Sequence, residues 1–178
     1  MERFVESFNP WSDEPRETSW HDVAQICLNG HVVNRATKQS PQLSKKFCSL
    51  CGAPTLTHCE RCKNEIQGEY HMPGIVAIGF SFPAPPFCSH CGAPFPWTEA
   101  KLQAARDLTQ ELDGLTPTEK EALSKSLDDL VKDTPQTQVA ATRFKKLLSK
   151  ASKEGGAALR EILVSVLSET AKKTLGLP

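Results

Sequence analysis

Cys48-Ser-Leu-Cys51-Gly-Ala-Pro54 and Cys88-Ser-His-Cys91-Gly-Ala-Pro94 are two copies of one short motif. Two residues between the cysteines let both sulfurs reach one metal ion, about 2.3 Å from each. The glycine after the second cysteine permits a positive φ, which turns backbone N–H groups toward the sulfurs. Because the motif recurs, we expect both copies to have the same role. A phenylalanine precedes each copy. We call residues 47–54, which begin with Phe47, the first knuckle and residues 87–94, which begin with Phe87, the second knuckle.

Two further half-sites complete a set of metal ligands. One is Cys59-Glu-Arg-Cys62, and the other is Cys27-Leu-Asn-Gly-His31. Seven cysteines leave one tetrahedral site a ligand short, which favours His31 as the eighth ligand, with His21 as its main rival. The sequence therefore predicts two Zn²⁺ ions per chain. The predicted ligands are Cys27, His31, Cys48, Cys51, Cys59, Cys62, Cys88 and Cys91.

The pairing of the half-sites has three solutions. In the tandem solution the first two half-sites share one ion and the last two share the other. This solution is favoured because residues 32–47 and 63–87 are each long enough for a β-hairpin. A nested solution joins the two central half-sites across the short link 52–58. A cross-braced solution, as in RING domains, is disfavoured because the Cys-x-His-x-x-Cys centre typical of that family is missing.

The zinc is expected to be structural. A catalytic zinc keeps one position open for water, whereas eight ligands over two ions leave none. The chain also lacks a Ser/His/Asp set, a P-loop and a glycine-rich dinucleotide turn. We therefore predict no catalytic residues and no enzyme activity.

Composition narrows the class of protein. The 178 residues carry 21 Lys and Arg against 21 Asp and Glu, so the surface as a whole is not that of a polyanion binder. No apolar run is long enough to span a membrane, and the first residues lack the apolar stretch of a secretory signal. These features predict a cytoplasmic protein. Cytoplasmic thiols stay reduced, so the cysteines are interpreted as metal ligands rather than disulfides.

The chain divides into three parts. Residues 1–19 have no periodicity and are expected to form an N-terminal tail. Residues 20–97 hold every cysteine and are expected to form a double zinc-ribbon module of short strands. Residues 98–178 have the apolar spacing of amphipathic helices and are expected to form an α-helical module. The predicted fold class is α+β: tandem zinc ribbons followed by a small four-helix module.

Start and stop signals place the four helices. The first begins at Thr98, and the second begins at Thr116-Pro117-Thr118-Glu119, a capping box with proline at its first position. The third begins at Asp133-Thr134-Pro135. Gly155-Gly156 is expected to end it, and one continuous apolar stripe from Leu159 to Leu175 predicts the fourth.

Two functions from different classes are favoured, and a catalytic or ligase-accessory role through the zinc module is the third and least favoured interpretation. Residues 64–100 are rich in aromatic side chains but contain no Lys or Arg, which favours a non-enzymatic adaptor that binds a protein partner. Nucleic-acid binding is the alternative, through a basic first ribbon and a basic third helix. The sequence indicates neither the partner nor the oligomeric state. The basic residues concerned are Arg35, Lys38, Lys45, Lys46, Arg61 and Lys63 in the ribbon module, and Arg143, Lys145, Lys146, Lys150 and Lys153 on the third helix.

These motifs together resemble a known family. Residues 26–32, both knuckles, Ile66-Gln-Gly68, Pro94-Phe-Pro-Trp-Thr98 and the final Ser168-Glu-Thr-Ala-Lys-Lys173 are similar to an uncharacterised bacterial family, a domain of unknown function with tandem zinc ribbons. The resemblance covers roughly residues 18–175. It implies a bacterial cytosolic protein in which the seven cysteines hold metal, and it implies no activity.

Overall fold

The structure, a computed structural model, describes residues 18–75 and 81–177. Most of the expected tail, residues 1–17, lies outside the described residues. Short strands come first and helices follow, which confirms the α+β fold class.

The strands form two small antiparallel sheets. Strand β1, Trp20–Val23, pairs with β5, Gln67–His71. The second sheet has β2, Gln25–Cys27, in the centre, between β3, Val32–Asn34, and β4, Thr55–Leu56. Only Ala24 separates β1 from β2, so one nearly continuous segment contributes to both sheets. Both ribbons therefore share this segment.

Residues 32–47 are long enough for a β-hairpin, but the hairpin of the first ribbon forms one step earlier in the chain. Strand β3 pairs with β2, which precedes it, and the turn between them contains the first half-site. Gly30 has a φ of +85° in this turn, and the Cys27 N–H donates to the His31 carbonyl at 3.0 Å. The hairpin thus forms at the ligands, because the tight turn that brings two ligands together also reverses the chain. Residues 76–80 of the other predicted hairpin lie outside the described residues.

The ribbon module has one small core common to both ribbons. Ala24, from the segment between β1 and β2, donates its N–H to the Ile66 carbonyl at 2.9 Å. The rings of Phe95 and Trp97 are stacked, with their centroids 4.6 Å apart. They form the part of the core that is next to the start of the first helix. The buried residues of this core are Ala24, Ile26, Cys59, Ile66, Cys88, Phe95 and Trp97.

In the described residues after the strands, five α-helices follow, where the sequence predicts four. The first three begin close to their predicted starts and pack around Leu123, Leu127 and Phe144, all with no exposed surface. In chain order the helices are α1 Pro96–Glu111, α2 Pro117–Leu130, α3 Pro135–Leu148, α4 Lys153–Leu163 and α5 Glu169–Leu175.

The error in the helix count lies at residues 153–175. Gly155 and Gly156 are in the first turn of α4 rather than in a break, and the Ser152 hydroxyl accepts from the Gly155 N–H at 3.3 Å. A Cβ at Gly155 would lie 2.5 Å from Leu112 Cδ2, so glycine allows α4 to pack closely against the end of α1. The predicted fourth helix is interrupted before Ser168, whose N–H donates to the Leu130 carbonyl at 3.0 Å and whose hydroxyl caps α5.

Candidate metal centres

The first centre combines four side chains from the β2–β3 turn and the first knuckle. Cys27, His31, Cys48 and Cys51 place one ligand atom each within 4.8 Å of one another. His31 Nδ1 lies 3.5 Å from Cys27 Sγ and 3.7 Å from Cys48 Sγ. Cys27 Sγ lies 3.8 Å from Cys51 Sγ.

The second centre combines Cys59, Cys62, Cys88 and Cys91, again within 4.8 Å. Cys59 Sγ lies 3.9 Å from Cys91 Sγ, and Cys62 Sγ lies 3.7 Å from Cys88 Sγ. The two groups are those of the tandem pairing. The nested and cross-braced pairings would need ligands from different groups to meet, and the structure separates them.

These separations match tetrahedral zinc. In a tetrahedron with bonds of about 2.3 Å, neighbouring sulfurs lie about 3.8 Å apart, and a sulfur lies about 3.6 Å from a nitrogen bound at about 2.05 Å. The observed sulfur–sulfur distances of 3.7–3.9 Å and nitrogen–sulfur distances of 3.5 and 3.7 Å agree with these values. The geometry and the soft thiolate donors both fit zinc.

The two knuckles have the same backbone. The Cys48 N–H donates to the Ala53 carbonyl at 2.8 Å, and the Gly52 N–H donates to the Cys48 carbonyl at 2.9 Å. The second knuckle repeats both bonds at the same lengths, from Cys88 to Ala93 and from Gly92 to Cys88. The two glycines have φ values of +70° and +69°. Glycine is required there because residues with a Cβ rarely adopt this conformation.

Local hydrogen bonds prepare one thiolate in each centre. The pKa of the Cys51 thiol is lowered to about 6 by the Ala53 N–H and by the Asn29 side chain. The pKa of the Cys62 thiol is lowered to about 6 by the Asn64 side chain and N–H. The thiolate is the form that binds metal, so both centres hold a ready ligand at neutral pH. Burial has the opposite effect on Cys27 and raises the pKa of its thiol.

The rival histidine lies elsewhere. His21 is on β1, where its Nδ1 is 3.2 Å from the Gly68 carbonyl and its ring packs 4.8 Å from the Tyr70 ring. The structure therefore brings His31, and not His21, to the three cysteines of the first centre.

Sequence reasoning missed the residues that support the centres. Asn29 and Asn64 act on the thiols, and Gly30 lies under the ring of Trp97, where a Cβ would be 3.1 Å from Trp97 Cβ. This contact joins the first centre to the start of α1. The one available signal was the glycine directly before His31, which indicates a positive φ or a close approach.

Two cysteine-rich clusters of four ligands on short antiparallel strands are consistent with the zinc-ribbon class of proteins. Within this class, the chain belongs to the family described as "uncharacterized protein conserved in bacteria (DUF2321)", whose model matches residues 20–175. The match confirms the resemblance found in the sequence. Neither the curated proteins nor the solved structures contain a match to this chain. In the part of the chain that the structure describes, no helix is both long and apolar enough to cross a membrane.

Proposed function

We propose that both centres hold structural Zn²⁺ and that the protein is a non-enzymatic cytoplasmic adaptor that presents its ribbon module to a protein partner. The observation that carries the structural role is the complete ligand set. Each centre offers four protein ligands at tetrahedral spacing, so a bound zinc has no open position for water or substrate. The zinc then contributes folding free energy and no chemistry of its own.

Exposed apolar surface supports the adaptor role. Of the eight large apolar side chains that are exposed in the described residues, seven belong to the ribbon module. Concentrated apolar exposure of this kind is typical of interaction sites. The seven are Trp20, Leu43, Phe47, Leu50, Tyr70, Met72 and Ile75, and the eighth is Val139 on α3.

Ion pairs weaken the nucleic-acid alternative in the first ribbon. Arg35 pairs with Glu69 at 2.9 Å, and Lys38 pairs with Glu65 at 2.8 Å. Both carboxylates come from the segment around β5, so acidic residues of the second half of the module offset the basic residues of the first. Phosphate binding depends on positive charge that is free to replace counterions.

The third helix is the main remaining support for nucleic-acid binding, beside Lys45 and Lys46 of the first ribbon, which form no ion pair within residues 18–75 and 81–177. Arg143 and Lys146 line a shallow groove of about 530 Å³ along α3, together with the polar side chains of Gln138 and Thr142. Neither basic side chain has an acidic partner in residues 18–75 and 81–177. A phosphate backbone matches such a surface, and we retain this function as the second candidate.

One binding experiment separates the two candidates. The zinc-loaded full chain is immobilised and exposed to a bacterial lysate with and without nuclease, and is then washed at salt from about 50 to 200 mM. The adaptor role predicts a stoichiometric protein that stays bound after nuclease treatment and through the salt series. Material that is nucleic acid, or that is lost with nuclease, contradicts the adaptor role. Arg143→Gln/Lys146→Gln is the matched variant, and it should reduce only nucleic-acid retention.

A further inference from the structure

The two knuckles differ in what covers them. Phe47 is 57% exposed and Leu50 is 76% exposed. At the equivalent place in the second knuckle, Phe87 is partly buried against the core of the helical module. The alanines differ in the same direction, because Ala93 is buried whereas Ala53 is only partly so. The phenylalanine, alanine and proline positions of the motif are therefore more covered in the second copy than in the first, whereas the third motif position is exposed in both, as Leu50 and as His90.

The second knuckle indicates what kind of element this surface accepts. Facing Pro86, Phe87 and Gly92 are Val131 to Asp133, between α2 and α3, and Ser168 and Glu169 at the start of α5. The elements beside the second knuckle are thus helix ends, with an apolar residue at Val131 and exposed acidic side chains at Asp133 and Glu169. A knuckle of this shape packs against helices in at least one of its two copies.

Charge distinguishes the exposed copy. Lys45 and Lys46 precede Phe47, where the second knuckle has Pro85 and Pro86. Neither lysine forms an ion pair with any residue in 18–75 or 81–177. An occupant of this face therefore meets an apolar surface with two unpaired positive charges beside it. Electrostatic complementarity favours an acidic occupant.

We propose that Phe47, Leu50 and Pro54, flanked by Lys45 and Lys46, form the docking surface for an acidic amphipathic helix of another protein. The proposal rests on the adaptor function above and names its surface and the chemistry of its partner.

The test uses a phage-displayed random peptide library as the probe. Peptides are selected on the zinc-loaded full chain and counter-selected on Leu50→His, which gives the first knuckle the Cys-Ser-His-Cys sequence of the second. Because that sequence already supports a metal centre in this protein, Leu50→His is expected to keep both metal ions, as native mass spectrometry of the variant checks. The enriched peptides are then synthesised, and their affinity and helicity are measured.

The expected result is a set of acidic peptides with apolar residues at helical spacing, which gain helicity on binding. Leu50→His should weaken their binding by about tenfold or more. Lys45→Glu/Lys46→Glu should weaken it as well and should turn the preference toward basic versions of the same peptides.

Four results would overturn the proposal. The first is that the enriched peptides bind Leu50→His as well as they bind the wild type, and the second is that they are basic or extended. The third is peptide binding that appears only when residues 1–17 are deleted. The fourth is dimerisation of the chain that Leu50→His abolishes. The third would assign the surface to the chain's own N-terminal segment, and the fourth to a second copy. In every case a salt-resistant protein in the lysate experiment would still support the adaptor role through another surface.

Discussion

The ribbon module and the helical module are held together by different means. Among residues 18–75 and 81–97, the ribbon core contains seven buried residues, and two of them, Cys59 and Cys88, belong to the second candidate centre. The helical core contains seventeen buried residues, almost all of them aliphatic. A module with so small a core needs another source of stability, and a structural zinc supplies about 10–16 kcal/mol per site in small finger peptides. If the proposed zinc ions are bound, they supply in the ribbon module the stability that apolar packing supplies in the helical module.

Metal removal is expected to have the largest effect on this comparison. Chelation should unfold the ribbon module, because both sheets and the shared core converge on the ligands, while α2 to α5 keep most of their helical structure. Far-UV circular dichroism and ¹H–¹⁵N NMR spectra before and after chelation measure the two parts separately. Loss of the helical signal in the same step would contradict the separation of the modules.

Core truncation in the helical module should have the opposite selectivity. Phe144 has no exposed surface, and Phe144→Ala is expected to lower the free energy of unfolding by about 3–5 kcal/mol through lost burial and a residual cavity. Denaturant titration measures this change, and native mass spectrometry should find an unaltered metal content. Val139→Ala on the same helix is the control, because Val139 is 59% exposed. Release of metal from Phe144→Ala would show that the modules stabilise each other strongly.

The capping box of α2 tests the helical module at a finer level. The Thr116 hydroxyl accepts from the Glu119 N–H at 3.3 Å, and the Thr116 N–H donates to the Glu119 carboxylate at 3.0 Å. Thr116→Ala should destabilise the helical module by about 1 kcal/mol. Thr118→Ala in the same turn, which removes no hydrogen bond of the structure, should have a smaller effect. Equal effects in thermal unfolding would argue against the cap.

The smallest of these effects on stability is expected from acid, which should remove the stabilising contribution of the Glu119 carboxylate. Its pKa is lowered to about 2 by the Lys150 ammonium, 2.5 Å away, and by the N–H and hydroxyl of Thr116. A carboxyl with a depressed folded-state pKa stabilises the fold above its ordinary pKa of 4.5, and this contribution is lost as the pH falls from there toward 2. The difference in stability between the wild type and Glu119→Gln should therefore be present at pH 7 and disappear near pH 2. A difference that persists in acid would contradict the ion pair as its cause.

Local chemistry made part of this fold predictable. The repeated Cys-Ser-x-Cys-Gly-Ala-Pro motif requires a particular turn, so its residues predict both the turn and the ligands. Helix α2 begins at Thr116-Pro117-Thr118-Glu119 through hydrogen bonds within these four residues, so the sequence predicts this helix start as well. His31 was inferred from a shortage of ligands, and the structure brings it to the three cysteines.

Tertiary contacts account for what the sequence did not predict. The break before α5 depends on the bond from Ser168 to Leu130, two residues far apart in the chain. The sequence predicts a turn at Gly155. The close approach of Gly155 to Leu112, which explains the glycine, depends on tertiary packing that the sequence alone does not show. The pairing of β1 with β5 and the cover of the second knuckle are non-local in the same way.

Native mass spectrometry of the full chain, purified without added metal or a metal-chelating tag, tests the central claim most directly. Two closed four-ligand centres should give two zinc ions per chain. One ion per chain, or a different metal in either centre, would contradict the claim that two closed zinc sites build the ribbon module.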